Sequence, residues 1–277
     1  MRDDLVKDEI NRERSPGEKF YTREVASQYE MLRQNDRYWA WENDVLGNCL
    51  RTFQVDEKVA DCPVGTGRFL DIYGRLGLRV LGIDISIDML NEAGKKVGPA
   101  GLEGRVELVQ ADASSLALDH PAAKALVCFR LLHLISDKNL KEVVRGLVAI
   151  PSDYIFLQVF TVKDFNLHRL AGRVAHAIGS TEIGLGRKLK YIYRTLRALV
   201  SALLGPREVT PVNQHEENTF CDVTYAHPLS RILTAFAEWG FYMQDRFDLL
   251  DNTHLISESG CTVSTVMVMK KKLSIDR

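Results

Sequence analysis

The hydrophobic positions change their period three times along the chain. From about Thr22 to Leu50 they recur at helical spacing, through Val25, Tyr29, Leu32, Tyr38, Trp39, Trp41, Val45, Leu46 and Leu50, which predicts two helices. Beyond them, short apolar runs alternate with helical patterns. Strands are predicted at Lys58–Asp61, Arg79–Asp84, Val106–Gln110, Ala125–Phe129 and Tyr154–Phe160, and helices starting near Arg68, Ile87 and Lys138. Short crossovers between successive strands require parallel pairing with right-handed connections, so the expected core is a doubly wound α/β layer. After residue 160 the rhythm breaks into helical pattern without a strand, as far as about residue 225. Pro228–Trp239 then predicts a helix stopped by Gly240, and Phe241–Leu249 and Val263–Lys270 predict two strands with no helix between them. These last strands make an antiparallel C-terminal hairpin that completes a mostly parallel, seven-stranded sheet.

The expected organisation follows from these changes of period. Residues 1–18, charge-rich and broken by Ser15-Pro16-Gly17, read as a mobile leader. Residues 19–50 form an N-terminal helical cap, 51–160 the α/β core, 161–225 a helical insertion after strand five, and 226–277 the closing helix and hairpin. A chain of 277 residues accommodates one such core with additions, and 45% hydrophobic with 26% charged residues exclude disorder as its main state. No apolar run approaches the roughly 20 residues of a membrane-spanning helix. Met1-Arg2-Asp3-Asp4 is not followed by the apolar segment of a secretion signal, so a cytoplasmic location is expected. The five cysteines, Cys49, Cys62, Cys128, Cys221 and Cys261, are odd in number and never in a C-x-x-C pair, so neither a disulfide framework nor a metal site is expected.

Candidate chemistry concentrates at VADCPVGTGRFLDIY, where a strand, a glycine-rich turn and a helix meet. Gly65 and Gly67 let the backbone turn sharply and approach a ligand, and the helix that follows aims its N-terminal amides at the same space. That suits the polar end of a nucleotide-like cofactor, although a plain strand-to-helix turn would use the same glycines. A dinucleotide fingerprint wants a third glycine three residues after Gly67, and Leu70 stands there, so the pyrophosphate of NAD has no seat. Instead Asp61 ends the first strand and Asp84 ends the second, within LGIDISIDML. A carboxylate at the second position can accept both hydroxyls of a ribose. It can also cap the next helix, as Ser86 can.

With these motifs in view, the chain resembles the class I S-adenosylmethionine (SAM) dependent methyltransferases, of the seven-stranded type whose first motif reads D-x-x-x-G-x-G. The resemblance runs from about Val59 to Phe160 and resumes over His227–Lys270. It includes Ala111-Asp112-Ala113 after the third strand and CFRLLHLI at 128–135 after the fourth. It implies SAM as cofactor, S-adenosylhomocysteine as product, and a division of labour among residues: Asp61, Gly65 and Gly67 at the methionine end, Asp84 at the ribose, Asp112 and Ala113 at the adenine. Pro63, Ile85, Met89 and Phe129 complete the implied cofactor-binding set. Pro63 departs from the pattern, since many relatives place a glycine there and proline offers no amide donor. Asp112 also has the plainer reading of a turn residue.

Methyl transfer asks mainly that the acceptor be held in line behind the methyl carbon. A hydroxyl acceptor also needs a base, for which His133 is the candidate, with a purely structural histidine as the rival reading. Arg130 can orient an anionic acceptor or pair with a carboxylate at the rim. Tyr225 and His227, just before the next predicted helix, are further candidates for the acceptor cleft, although His227 can equally be a surface residue preceding Pro228.

Charge adds one feature. The net charge is −1, yet residues 163–207 hold nine Lys or Arg against Asp164 and Glu182, which leaves that stretch at +7 and the rest at −8. Within it, Leu189, Ile192, Tyr193, Leu196, Leu199, Val200 and Leu203 share one helical face, and Arg187, Lys190, Arg194 and Arg197 the other. This amphipathic helix, 187–204, can pack on the domain with a solvated basic face. It can also act as a lid over an anionic acceptor, or lie on an anionic membrane surface near a lipid-linked one. The leading expectation is O-methylation of a small-molecule or glycan acceptor. The alternatives are an RNA or protein methyltransferase using the basic segment, and a non-catalytic SAM-binding or scaffold protein. Nucleic acid is disfavoured, because the rest of the chain is acidic and no RNA-binding module accompanies it.

Overall fold

The computed structural model describes residues 21–33, 37–116, 120–162, 208–209, 224–225, 227–249, 256–257 and 260–272. At its centre lies β1 (Lys58–Asp61), paired in parallel with β2 (Arg79–Asp84) on one side and β4 (Ala123–Cys128) on the other. Outward from these run β3 (Val106–Gln110), parallel to β2, and β5 (Pro151–Val162), parallel to β4. β11 (Gly260–Lys271) lies antiparallel between β5 and β9 (Phe241–Leu249), giving seven long strands in the order β3-β2-β1-β4-β5-β11-β9. This is the mixed, Rossmann-like sheet that the alternating pattern predicts.

Period-two alternation builds two cores from the same strands. Leu126, Ile155, Leu157 and Met267 face α5 (Leu140–Val148) and α6 (Leu229–Ala237), packing on Val143, Val144, Leu147, Ile232 and Phe236. Their neighbours Val127, Phe156 and Val266 face the opposite way, with Val59, onto α2 (Arg37–Leu50) and α3 (Leu70–Arg75) through Leu46, Leu50, Leu70, Ile72 and Tyr73. Each such side chain contributes about 1.5–3 kcal/mol by leaving water. The predicted pair of N-terminal helices is α1 (Arg23–Arg33) and α2, and α4 (Ile87–Val97) links β2 to β3.

Three details differ from the expectation. α3 begins at Leu70, because the amides of Gly67 and Leu70 close turns onto the carbonyls of Val64 and Gly67 first. It ends at Arg75, ahead of Gly77 in a left-handed conformation. A two-residue ribbon, β6 (Glu208–Val209) with β7 (Thr224–Tyr225), stands in the stretch predicted to lack strands; segments this short leave no periodicity to read. β8 (His227–Pro228) returns to pair in parallel with Thr161 and Val162 at the end of β5, and β10 (Ile256–Ser257) pairs with the start of β11. The predicted leader and the amphipathic helix at 187–204 lie outside the described residues. Among the described residues, no helix is long and apolar enough to cross a membrane.

Candidate active site

The site forms at the carboxyl ends of β1, β2, β3 and β4, where an open parallel sheet leaves its crevice. The loop after β1 is pinned on both sides, by Cys62 N–H donating to Val127 O and Val64 N–H to Ile83 O, each at 2.9 Å. A cis peptide bond joins Cys62 to the half-buried Pro63. Gly65 and Gly67 both adopt positive φ, 55° and 75°. At Gly67 a Cβ would sit 2.7 Å from Leu70 Cδ1 and 3.2 Å from Ala93 Cβ, so this glycine lets the loop pack on α4. At Gly65 a Cβ would meet nothing within 4 Å, so this side of the loop is open.

Asp84 ties the loop to the next helix. Its Oδ2 accepts the Gly65 amide and its Oδ1 the Ser86 amide, each at 2.9 Å. The helix cap itself is Ser86, whose Oγ accepts Met89 N–H. Burial pushes the Asp84 carboxyl up to about 6, against the pull of those amides. Asp61, at the end of β1, is driven further, to about 7, chiefly by burial and in opposition to the Tyr73 hydroxyl and Arg68. Tyr73 donates to Asp61 Oδ2 at 3.0 Å, while Asp61 Oδ1 is buried with no hydrogen-bond partner. An orphaned buried acceptor costs about 1–3 kcal/mol, more when it is charged.

At the end of β3, Asp112 Oδ1 accepts both the amide and the hydroxyl of Ser114 at 2.8 Å, which makes it the organiser of a turn. The Ala113 carbonyl in that turn packs directly on Gly146 of α5, where a Cβ would lie 1.8 Å from it. Gln110 Nε2 donates to Ile85 O and joins the ends of β3 and β2. Ile85 is half-buried and Met89 fully buried beside them. Phe129, buried after β4, stands edge-on to Phe69 at 5.1 Å between centroids.

Arg130 and His133 meet around Phe160. The Arg130 guanidinium carbon lies 5.4 Å from the Phe160 ring and 5.8 Å from Tyr38, and the His133 ring stands edge-on to Phe160 at 5.2 Å. Arg130 has a left-handed backbone, φ 62°, and its amide donates to Oε1 of the fully buried Gln158. Gln158 in turn donates to Ser264 Oγ. The Arg130 side chain donates through Nε to Glu42 of α2 at 2.9 Å, and Arg68 donates to the same carboxylate at 2.8 Å. Periodicity alone places no role on Glu42; the available signal was a carboxylate four residues before Leu46 on an otherwise apolar stripe.

His227 is not the surface residue that its place before Pro228 allows: it is 2% exposed, with both ring nitrogens engaged. Nε2, facing the carbonyls of Leu132 and Ile135 at 3.1 and 3.0 Å, is their donor, and Nδ1 lies 3.0 Å from Asp137 Oδ1. The ring therefore fastens the 3-10 turn Leu132–Leu134 that carries His133. For Tyr225 the described part is its backbone, in the ribbon strand packed against that turn. The cap reaches the opposite side of the site. Thr66 donates to Glu30 of α1, Lys96 pairs with the same carboxylate, and Ser86 Oγ donates to Tyr21 O at 2.6 Å. Among the described residues no group of three His, Cys, Asp or Glu is placed to hold a metal.

Residues 59–150 match a family model described as a methyltransferase domain. Solved structures share the fold. Magnesium protoporphyrin IX methyltransferase of Synechocystis PCC 6803, crystallised with S-adenosylhomocysteine, is 12% identical, with 92% of this chain and 97% of that one covered and a TM-score of 0.59. The 1,6-didemethyltoxoflavin-N1-methyltransferase of Burkholderia thailandensis is 13% identical over 95% and 93% of the two chains, with a TM-score of 0.56. A SAM-dependent methyltransferase of Methanosarcina mazei is 16% identical over 80% and 95%, with a TM-score of 0.53. No curated protein sequence matches the chain.

Proposed function

We propose that the chain, whose residues 59–150 match a methyltransferase-domain model, is a SAM-dependent methyltransferase that methylates a hydroxyl of an anionic small-molecule or glycan acceptor. The observation that carries this reading is the grouping of His133 and Arg130 around Phe160, just beyond the end of β4. A half-buried histidine can take the hydroxyl proton, and a guanidinium beside it can orient a negative group. The names of two structural neighbours, on magnesium protoporphyrin IX and 1,6-didemethyltoxoflavin, support a small molecule over a macromolecule. The basic stretch 163–207, next to the acceptor side in sequence, fits an anionic or lipid-linked acceptor, and a membrane contact through 187–204 belongs to the same proposal.

The residues present fit the cofactor. Asp61 Oδ1, a buried acceptor without a partner, suits an ammonium group, and the open side of Gly65 leaves room beside it. The Asp84 carboxylate, fixed by two amides, keeps lone pairs for ribose hydroxyls, and the turn at Asp112 and Ala113 would border the adenine. Pro63, Ile85, Met89 and Phe129 shape the walls. Bound SAM supplies a methyl carbon made electrophilic by its sulfonium. The protein's own work is to hold the acceptor hydroxyl in line, to remove its proton at His133 Nδ1 or Nε2, and to exclude water with the cap. Calorimetry with S-adenosylhomocysteine tests the cofactor claim, and dissociation constants no tighter than about millimolar would sink it. Release of S-adenosylhomocysteine from SAM, followed across a panel of hydroxylated carboxylic acids, tests the acceptor. His133→Asn should then lower kcat by about 10²–10⁴ and leave the KM for SAM unchanged. Turnover of RNA in place of these acids would overturn the acceptor class.

A further inference from the structure

Glu42 is a fully buried carboxylate on the apolar stripe of α2, in line with Leu46 and Leu50. A lone carboxylate there would be expelled or neutralised. Instead three segments distant in sequence meet on it. Oε2 accepts from Arg68 Nη2 at 2.8 Å, and Oε1 accepts from Arg130 Nε at 2.9 Å, with Oε2 at 3.2 Å from the same donor. Arg68 follows the glycine loop and lies over Trp39 and Phe69, 4.8 and 4.1 Å from their ring centres. Burial holds the Arg68 pKa below its ordinary value, and Glu42 opposes that pull.

Arg130 is held by two separate devices. The core fixes its backbone: a left-handed conformation is strained for a non-glycine residue, and here the buried Gln158–Ser264 pair secures the amide. The cap fixes its guanidinium, through Glu42. We propose that Glu42 is a positioning residue that completes the acceptor side of the site only when α2 is seated on the core, by placing the Arg130 guanidinium beside the edge-to-face pair of Tyr38 and Phe160. The use of that guanidinium rests on the methyltransferase reading; its placement by Glu42 does not.

Phenylglyoxal labelling of arginines, mapped by mass spectrometry, reads the placement directly. Glu42→Gln should label at Arg130 about tenfold faster than the wild-type protein while binding S-adenosylhomocysteine within about threefold of it. With any acceptor turned over from the acid panel, Glu42→Gln should lower kcat about tenfold or more and leave the KM for SAM in place, a split that general loosening would not give. Should Glu42→Gln fail to fold, the wild-type protein still decides: a slowly exchanging Arg130 Nε proton in 15N spectra supports the proposal. A fast-exchanging one, or equal Arg130 labelling in the two proteins, overturns it. Failure of the wild-type protein to bind S-adenosylhomocysteine strikes the methyltransferase reading alone and leaves the labelling comparison standing.

Discussion

Asp61 and Asp84 end adjacent parallel strands, and folding buries both carboxyls, raising them to about 7 and 6. The folded protein without cofactor therefore keeps protons that the unfolded chain releases above about pH 4. Since the folded values are the raised ones, this contribution to stability is full below pH 4 and is lost as pH climbs towards 7. Asp61→Asn should flatten the decline of stability between pH 4 and 7, and at pH 8 should melt higher than the wild-type protein, by about 2–4 °C for each kcal/mol relieved. Superimposable pH profiles would contradict the burial account. Binding inverts the sign. An ammonium beside Asp61 Oδ1 favours the charged carboxylate, so S-adenosylhomocysteine should bind with release of a proton near pH 6 and more tightly at pH 7.5 than at 5.5. Calorimetry in buffers of different ionisation enthalpy counts that proton, and Asp61→Asn should abolish it. Asp84→Asn keeps the shape but offers one oxygen to two amides, Gly65 and Ser86. We expect a loss of affinity of about tenfold or more from that orphaned donor.

Elements place these residues, and their contacts carry separate consequences. Gly146 in α5 admits the Ala113 carbonyl where a Cβ would stand 1.8 Å away. Alanine is the better helix former by up to about 1 kcal/mol, but the overpacking costs about 1–3. Gly146→Ala should therefore destabilise the protein and weaken S-adenosylhomocysteine binding with α5 still helical, which thermal melts and calorimetry check together; a stabilised variant with unchanged affinity would refute the contact. The same elements show what the chain discloses locally. The strands were legible because each alternates between two buried faces, as Leu126 and Val127 do, and the glycine loop because its turn and its acids lie within a few residues. The burial of His227 was not legible because its partners, Leu132, Ile135 and Asp137, are 95, 92 and 90 residues away, and no local pattern encodes such a bond. Arg130 was legible as a charged candidate, but its left-handed backbone is imposed by Gln158 and Ser264 from other strands. Glu42 could be seen as a charge on an apolar stripe, whereas the two guanidiniums that explain it arrive only with the fold.

On the scale of the whole molecule, the two cap helices are attached by different physics. α2 sinks Leu46 and Leu50 into the core and anchors through Glu42. α1 buries only Ala26 among its described side chains; it meets α2 through Tyr29 and Trp39, 6.0 Å apart, and polar links tie Glu30 to Thr66 and Lys96 and the Tyr21 carbonyl, just before the helix, to Ser86. The Glu30–Lys96 pair is about a third exposed, 41% and 31%, and pairs of that kind contribute at most about 1 kcal/mol, less in high salt. α1 lies against α4 and, through Glu30, against the glycine loop, and we expect this weakly held helix to open when the cofactor enters. Local opening free energies then differ between the helices, and hydrogen exchange reads that difference. In the protein without cofactor, amides of α1 should exchange at least about tenfold faster than those of α2, faster still in molar salt. S-adenosylhomocysteine should slow α1 by a larger factor than α2, because a ligand bound beneath a lid stabilises the closed state by its own binding free energy. Equal protection of the two helices before binding would mean that the cofactor enters by another route and that α1 is a fixed wall of the site.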